Sequence, residues 1–319
     1  MYPILRARLR GAFVAALKLL AAPALRFTLA PLVALLAMPA LAGPIGYAVR
    51  SDVDRHLYRI DMATGEAIDL GLTGFSKLEG LAISPAGELY GVNPPTAQLV
   101  KCLAATGACT LIGPLSGLPP LQTNAGLTFA TNGTLYLAMN AVIYRVDPNT
   151  GATVALGGTG PALAGLAAIA PSDRCPSGVY GMGGNSDRGR FYCVNTDNGS
   201  TTLLGTLTMN PLDVGLDGDA ATGLVWGVSN DTPGQVFSVD PTTLTLGNIH
   251  TVKVGATALG GFESLAVARS GTQALGDPYP LAAQQALVVP TLQPALLALL
   301  SLLLVAVAAS RRRSIRVHE

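Results

Sequence analysis

The sequence predicts an all-β fold, a β-propeller of five four-stranded blades, on the basis of three observations. An apolar segment centred on a leucine among small residues recurs five times, with successive leucines 39 to 50 residues apart. That spacing is typical of propeller blades. A second segment, which joins an aromatic to a small residue, follows most of these, and a third runs into a hairpin turn. The recurring leucines are Leu81, Leu127, Leu166, Leu216 and Leu265.

The second segment has the composition of a buried strand. In its first copy, Tyr90 offers a large group to pack between sheets and Gly91 permits close approach of another backbone. Equivalent pairs stand in two further units, Tyr136 with Leu137 occupies the same place in another, and no stretch of this region has helical periodicity. Four short antiparallel strands in each unit match one propeller blade.

The third and fourth segments are bounded by turn residues. Tyr58-Arg59-Ile60-Asp61 leads into Thr64-Gly65, where glycine supplies a positive φ and the aspartate caps the turn. A later copy begins at Asp240 but has Leu244 at the glycine position. The fourth strand of each unit ends on a glycine, at Gly71, Gly113, Gly157, Gly205 and Gly247.

The chain ends are predicted to share one blade. The first unit, Tyr47 to Gly71, lacks an opening strand, whereas the last recurrence, Phe262 to Val267, consists of that strand alone. Together they make a fifth blade and close the ring over residues 43–269. Six blades are the alternative, if 206–211 or 115–124 contains further strands.

The repeats resemble those of bacterial extracellular propellers, which read approximately Gly-Leu-Ala, Leu-Tyr-Gly and Asp-x-x-Thr-Gly. The resemblance covers residues 45–268. It implies the fold but no particular activity, because propellers serve many functions.

Charge is concentrated at the two ends of the chain. Between residues 42 and 290 there are eleven basic and eighteen acidic residues, although the whole chain is nearly neutral. An acidic body with scattered lysine and arginine argues against nucleic acid as a partner, since nucleic acid requires a basic patch.

The N-terminal segment, residues 1–42, is predicted to be a signal peptide. Arginines precede a long apolar stretch, and Ala40-Leu41-Ala42 has the small-x-small form that signal peptidase recognises, so cleavage is expected before Gly43. The leader is long. A start codon assigned too early and an uncleaved signal anchor are both alternatives.

The C-terminal segment, residues 289–319, combines a short motif, an apolar helix and a basic cluster. Val289-Pro290-Thr291-Leu292 precedes the apolar run 295–309, and Arg311-Arg312-Arg313 follows it. A helix of that run would rise about 22 Å, short of the roughly 30 Å hydrocarbon core. The arginines would keep the extreme C-terminus in the cytoplasm.

This segment resembles the IPTL-CTERM sorting signal of Gram-negative proteins. It departs from the pattern in having Val289 in place of isoleucine and Gln293-Pro294 after the motif. The resemblance implies an exosortase-type processing enzyme, cleavage near Val289 to Leu292 and only transient membrane anchoring. A plain tail anchor is the alternative. Residues 270–288, which lack alternation, are predicted to be a linker.

The four cysteines suit an exported protein with disulfides. Three connectivities are formally open. Cys102 and Cys109 flank a single turn, so a bridge there would staple one hairpin and leave Cys175 to pair with Cys193. A metal site is the rival interpretation, but no Cys-x-x-Cys pair is present.

Two sets of acidic residues are weak candidates for chemistry. Glu79 and Glu263 occupy equivalent positions before the repeat leucine in blades predicted to be neighbours, so they could form an acid/base pair for glycoside cleavage. Asp213, Asp217 and Asp219 could supply oxygen ligands to Ca²⁺, as could Asp52 with Asp54. Hydrogen bonding within the fold is the competing explanation for both sets, and no cofactor is predicted.

Three functions therefore stand at this stage. The first is an exported binding module at the cell envelope with an unidentified ligand, for which polysaccharide is a candidate. The second is a secreted hydrolase or lyase that uses the two glutamates. The third is a passive structural protein of the extracellular matrix.

Overall fold

A computed structural model describes residues 43–118, 120 and 124–281. The predicted signal peptide with Ala40 and Ala42, and the predicted sorting segment 289–319 with its motif and arginines, lie outside the described residues. Within them, no helix combines the length and apolar character needed to cross a membrane.

The described chain consists of short strands and two single-turn 3₁₀ helices, Pro94–Thr96 and Asn185–Asp187. The strands are β1 (Ile45–Val49), β2 (His56–Asp61), β3 (Ala67–Leu72), β4 (Gly80–Ile83), β5 (Leu89–Asn93), β6 (Gln98–Cys102), β7 (Cys109–Pro114), β8 (Ala125–Phe129), β9 (Leu135–Met139), β10 (Val142–Val146) and β11 (Thr153–Gly158). They continue with β12 (Leu163–Ala168), β13 (Val179–Gly183), β14 (Arg190–Val194), β15 (Thr201–Thr206), β16 (Val214–Asp219), β17 (Leu224–Ser229), β18 (Gln235–Asp240), β19 (Thr245–Thr251), β20 (Lys253–Val254), β21 (Thr257–Ala258) and β22 (Ala266–Val267).

These strands form five four-stranded antiparallel sheets, so the prediction of a five-bladed propeller is confirmed. Blade 1 is β22-β1-β2-β3, and blades 2 to 5 are β4–β7, β8–β11, β12–β15 and β16–β19. Blade 1 joins the two ends of the propeller, with Gly46 opposite Val267 and Tyr47 opposite Ala266. A small hairpin, β20-β21, follows blade 5. No further strand lies in the described parts of 115–124 or 206–211.

The five inner strands approach one another closely because small residues precede the repeat leucines. A Cβ at Gly126 would lie only 2.6 Å from the backbone nitrogen of Leu166 in the next blade. Comparable crowding is found at Gly80, Gly165 and Gly215. The leucines and these glycines leave no room for a water molecule on the ring axis. The axis is therefore a packed core.

We expect Gly126→Ala to lower the free energy of unfolding by about 2 kcal/mol, since the new methyl group meets backbone that cannot move freely. Gly158→Ala is the control, because a Cβ there lies 3.6 Å from its nearest neighbour, the carbonyl oxygen of Ala141. Denaturant unfolding of both variants measures the difference. Equal stability of the two would show that the inner ring tolerates expansion.

The Thr-Gly turns and the fourth-strand glycines are partners across blade boundaries. A Cβ at Gly107, in the turn of blade 2, would lie 2.3 Å from the carbonyl oxygen of Gly71 in blade 1, and both residues have positive φ. Each repeated glycine thus makes room for the turn of the next blade. The same pairing joins Gly113 with Gly151 and Gly157 with Gly199.

Leu244 replaces glycine at one of these turns and keeps the positive φ, at 60°. Its side chain points to Gly205 of the preceding blade and packs on the apolar core that blades 4 and 5 share. Packing therefore compensates for a backbone conformation that leucine rarely adopts.

Residues 270–281, the beginning of the predicted linker, are packed against the propeller. Asp277 is buried and accepts hydrogen bonds from the hydroxyl of Tyr47 and, at 2.9 Å, from Nε of Arg59. The backbone nitrogen of Leu275 donates to the carbonyl oxygen of Gly87 at 2.7 Å. We call this segment the strap. It belongs to the folded body because its buried Asp277 is held by Tyr47 and Arg59 of blade 1.

Both predicted disulfides, Cys102–Cys109 and Cys175–Cys193, are present. The first staples the hairpin of β6 and β7 as expected. The second joins Cys193 on β14 to Cys175 in the loop between β12 and β13. All four cysteines are paired, which indicates folding in an oxidising environment.

Candidate functional site

The candidate site lies on the strand-start face, the end of the ring at which the inner strands begin. Connections between the outer strand of one blade and the inner strand of the next meet here, together with the β1–β2 loop. Five charged residues from these segments form what we call the Lys77 cluster. They are Asp52, Lys77, Glu79, Asp213 and Glu263.

The two glutamates occupy equivalent positions in their blades, each before the repeat leucine. The backbone nitrogen of Glu79 donates to the carbonyl oxygen of Val92 at 3.1 Å, and that of Glu263 donates to Val49 at 3.4 Å. Both bonds extend the pairing of an inner strand with its neighbour in the same blade. Because blades 1 and 2 adjoin, the two side chains reach the same point from different sheets, as the sequence predicted.

Lys77 lies between them. Its Nζ is 2.6 Å from Oε1 of Glu79, 3.6 Å from Oε2 of Glu263 and 3.1 Å from Oδ2 of Asp52. These two glutamate oxygens are therefore no more than about 6 Å apart. One ammonium group thus links the start of blade 2 to the C-terminal strand that closes blade 1.

The cluster is buried, and its negative charge exceeds its positive charge. The side chain of Glu79 is 1% exposed and that of Glu263 is 10% exposed, whereas Asp52 is open to solvent at 60%. Neither carboxylate oxygen of Glu79 has a well-oriented hydrogen-bond donor, and the same holds for Oε2 of Glu263. Lys77 is consequently the principal stabilising group for two buried acids.

Asp213 adds a third buried acid next to the pair. Burial raises the pKa of Asp213 to about 7, opposed in part by a 2.8 Å hydrogen bond from the backbone of Val214 and assisted by the charge of Glu263. Burial likewise raises the pKa of Glu263, against the attraction of Lys77. Carboxyl groups in this environment retain protons at pH values at which ordinary carboxyls have lost them.

This arrangement is unfavourable for glycoside cleavage. The upper limit of about 6 Å on their oxygen separation is compatible with the spacing of retaining glycosidases, but a substrate would have to displace Lys77 to touch either carboxyl group. The leucine-filled axis beneath them has no room for a water molecule. The pair acts as an ionic contact between blades.

The three aspartates proposed as calcium ligands are not brought together. Asp213 stands at the strand-start face, whereas Asp217 and Asp219 lie towards the far end of β16. A strand advances by about 3.3 Å per residue, which separates the first from the last by roughly 20 Å. Among the described residues, no group of three acidic, histidine or cysteine side chains is arranged to hold a metal ion.

Asp217 and Asp219 instead bind their own surroundings. The carboxylate of Asp217 accepts hydrogen bonds from the backbone nitrogens of Gly218 and Val267, both at 2.8 Å, and from the hydroxyl of Thr128 at 3.1 Å. That of Asp219 caps its turn and accepts from Ser270 at 2.7 Å. Burial raises the pKa of Asp217 to about 7 despite these bonds.

Asp52 and Asp54 also have separate partners. Asp52 pairs with Lys77, whereas Asp54 pairs with Arg50 and accepts a 2.8 Å hydrogen bond from the hydroxyl of Tyr58.

Sequence reasoning overlooked Lys77, the centre of the cluster. A lysine two residues before a repeat glutamate was the available signal, but the other units have no equivalent pair. Comparison of the repeats therefore did not indicate that Lys77 has a role.

Comparison with known proteins gives matches among solved structures only. No family model matches the chain, and no curated protein matches it. Among solved structures, the chain is similar to one in a nidogen–laminin complex, with 15% identity and a TM-score of 0.45 over 72% of this chain and 85% of that one. A Bacteroides thetaiotaomicron VPI-5482 protein of unknown function has 16% identity and a TM-score of 0.44, over 58% of this chain and 53% of its own. Likeness at this level does not extend to function.

Proposed function

We propose that this protein is an exported binding module, sorted to the cell envelope and displayed there or released. The observation that carries the proposal is a closed propeller, stapled by two disulfides, whose buried glutamate pair is held by Lys77. Such a body offers rigid faces for recognition and no open acid pair for hydrolysis.

Export is supported by the pairing of all four cysteines, because disulfides form and persist outside the cytoplasm. Sorting rests on the signal-like segment 1–42 and on the resemblance of 289–319 to an IPTL-CTERM tail. Signal peptidase and an exosortase-type enzyme are the partners that this route requires.

Mass spectrometry of the protein isolated from its native cells tests the route. We expect an N-terminus at Gly43 and a C-terminus between Val289 and Leu292. An intact tail carrying Arg311 to Arg313 would contradict sorting and favour a plain tail anchor. An N-terminus upstream of Gly43 would contradict signal cleavage at that site.

Binding is tested by screening the same purified protein against polysaccharides and envelope fractions, with reduced, unfolded protein as the control. We expect retention that requires the folded state, without release of sugar fragments. Fragment release would favour the hydrolase or lyase, and a folded protein that binds nothing would favour the passive matrix role.

A further inference from the structure

A second polar concavity lies on the strand-end face, opposite the Lys77 cluster. It has a volume of about 280 Å³ and is formed where inner strands of several blades finish beside the strap. We call it the strand-end cleft. The groups that matter for recognition are Ser84, Phe129, Thr131, Asp217, Arg269 and Gln273.

Arg269 provides an unopposed positive charge at this cleft. It follows β22 directly and is exposed, and no carboxylate of the described residues lies within ion-pair distance of its guanidinium. The nearest cleft acid, Asp217, has its oxygens engaged by two backbone nitrogens and Thr128. A guanidinium in this situation favours a planar carboxylate, which it can bind through two parallel hydrogen bonds.

Gln273 forms part of the strap side of the cleft. Its Nε2 donates to the carbonyl oxygen of Asp277 at 2.8 Å, which fixes the amide, and its Oε1 is buried away from solvent. The strap therefore provides a fixed wall beside Arg269, and the exposed guanidinium is the group that a ligand can reach.

The remaining lining suits a sugar ring. Phe129 presents a half-buried aromatic surface, and the hydroxyls of Ser84 and Thr131 lie at the edge of the cleft. An apolar wall with a few fixed polar groups is the usual composition of a small-ligand site. The volume is close to the lower limit for such sites, which restricts the occupant to about one ring.

We infer that the strand-end cleft binds one uronic-acid residue of an acidic polysaccharide, with its carboxylate on Arg269 and its ring against Phe129. This inference rests on the proposed binding function and names its ligand class. The site combines a blade strand with the strap, so it forms only when the ring is closed.

The test is calorimetric titration of the folded protein with tetragalacturonate and with its methyl ester, which removes the charge and keeps the ring. We expect the ester to bind at least tenfold more weakly, and Arg269→Gln to lose at least tenfold affinity for the acid. Arg188→Gln, an exposed arginine outside the cleft, should bind like the parent.

Equal binding of acid and ester, or an unchanged affinity in Arg269→Gln, would overturn the inference. The outcome is separable from that of the proposed function. If Arg269→Gln retains envelope polysaccharide as well as the parent protein does, the cleft is not the binding site, but the proposed binding function stands. If the folded parent protein retains nothing in any screen, both proposals are refuted.

Discussion

Replacing Lys77 with methionine is expected to lower the free energy of unfolding by about 3–5 kcal/mol at pH 8, because removing one partner of a buried pair leaves its charge uncompensated. Here two acids lose their partner together, Glu79 at 2.6 Å and Glu263 at 3.6 Å. Methionine keeps most of the volume of the lysine chain, so the loss reports charge more than packing. Denaturant unfolding monitored by circular dichroism measures it.

Two variants make this result specific to the buried site. Lys253→Met removes an exposed pair with Glu66, whose side chains are 42% and 51% accessible, and should cost less than about 1 kcal/mol. Adding Glu79→Gln to Lys77→Met should recover part of the loss. If Lys77→Met were as stable as the parent protein, the cluster would not hold blades 1 and 2 together.

The second large effect is expected from pH. Burial raises the pKa of both Asp213 and Asp217 from 3.8 to about 7. Between those values the folded state binds more protons than the unfolded chain, so stability falls as pH rises. At about 1.4 kcal/mol per pKa unit, each group should cost on the order of 4 kcal/mol between pH 4 and pH 8, and the two together on the order of 8 kcal/mol.

Unfolding free energies measured across this range test the effect. Asp213→Asn should flatten the fall, since the amide stays neutral and can still accept the hydrogen bond from Val214. Asp173→Asn, at an exposed loop position, should leave the profile unchanged. Stability that rises from pH 4 to pH 8 would contradict the assigned burial of these carboxyls.

Much of the fold was predictable because its signals are local. Strand alternation, the turn glycines and the missing opening strand of the first unit each reside within a few residues, and together they indicated five blades and their closure. The hairpin disulfide at Cys102 and Cys109 followed from the same turn.

The candidate sites were harder to predict because their chemistry depends on neighbours that are distant in sequence. The approach of Glu79 to Glu263 was foreseen from ring closure, but the lysine between them was not. The aspartates of β16 looked like a cluster because they are close in sequence, although an extended strand carries the first and last to opposite ends of the ring.

The amino-acid sequence by itself determined the blade repeat and indicated five blades and a disulfide across the Cys102–Cys109 hairpin, since strand period and turn chemistry are written in consecutive residues. Only the tertiary structure decided that leucines fill the axis, that Lys77 holds two buried acids, and that the strap docks on Tyr47 and Arg59. Those features arise where separate blades meet, and burial there determines how much free energy each charge costs. The residues next to a buried charge in the sequence do not show which distant group will compensate that charge.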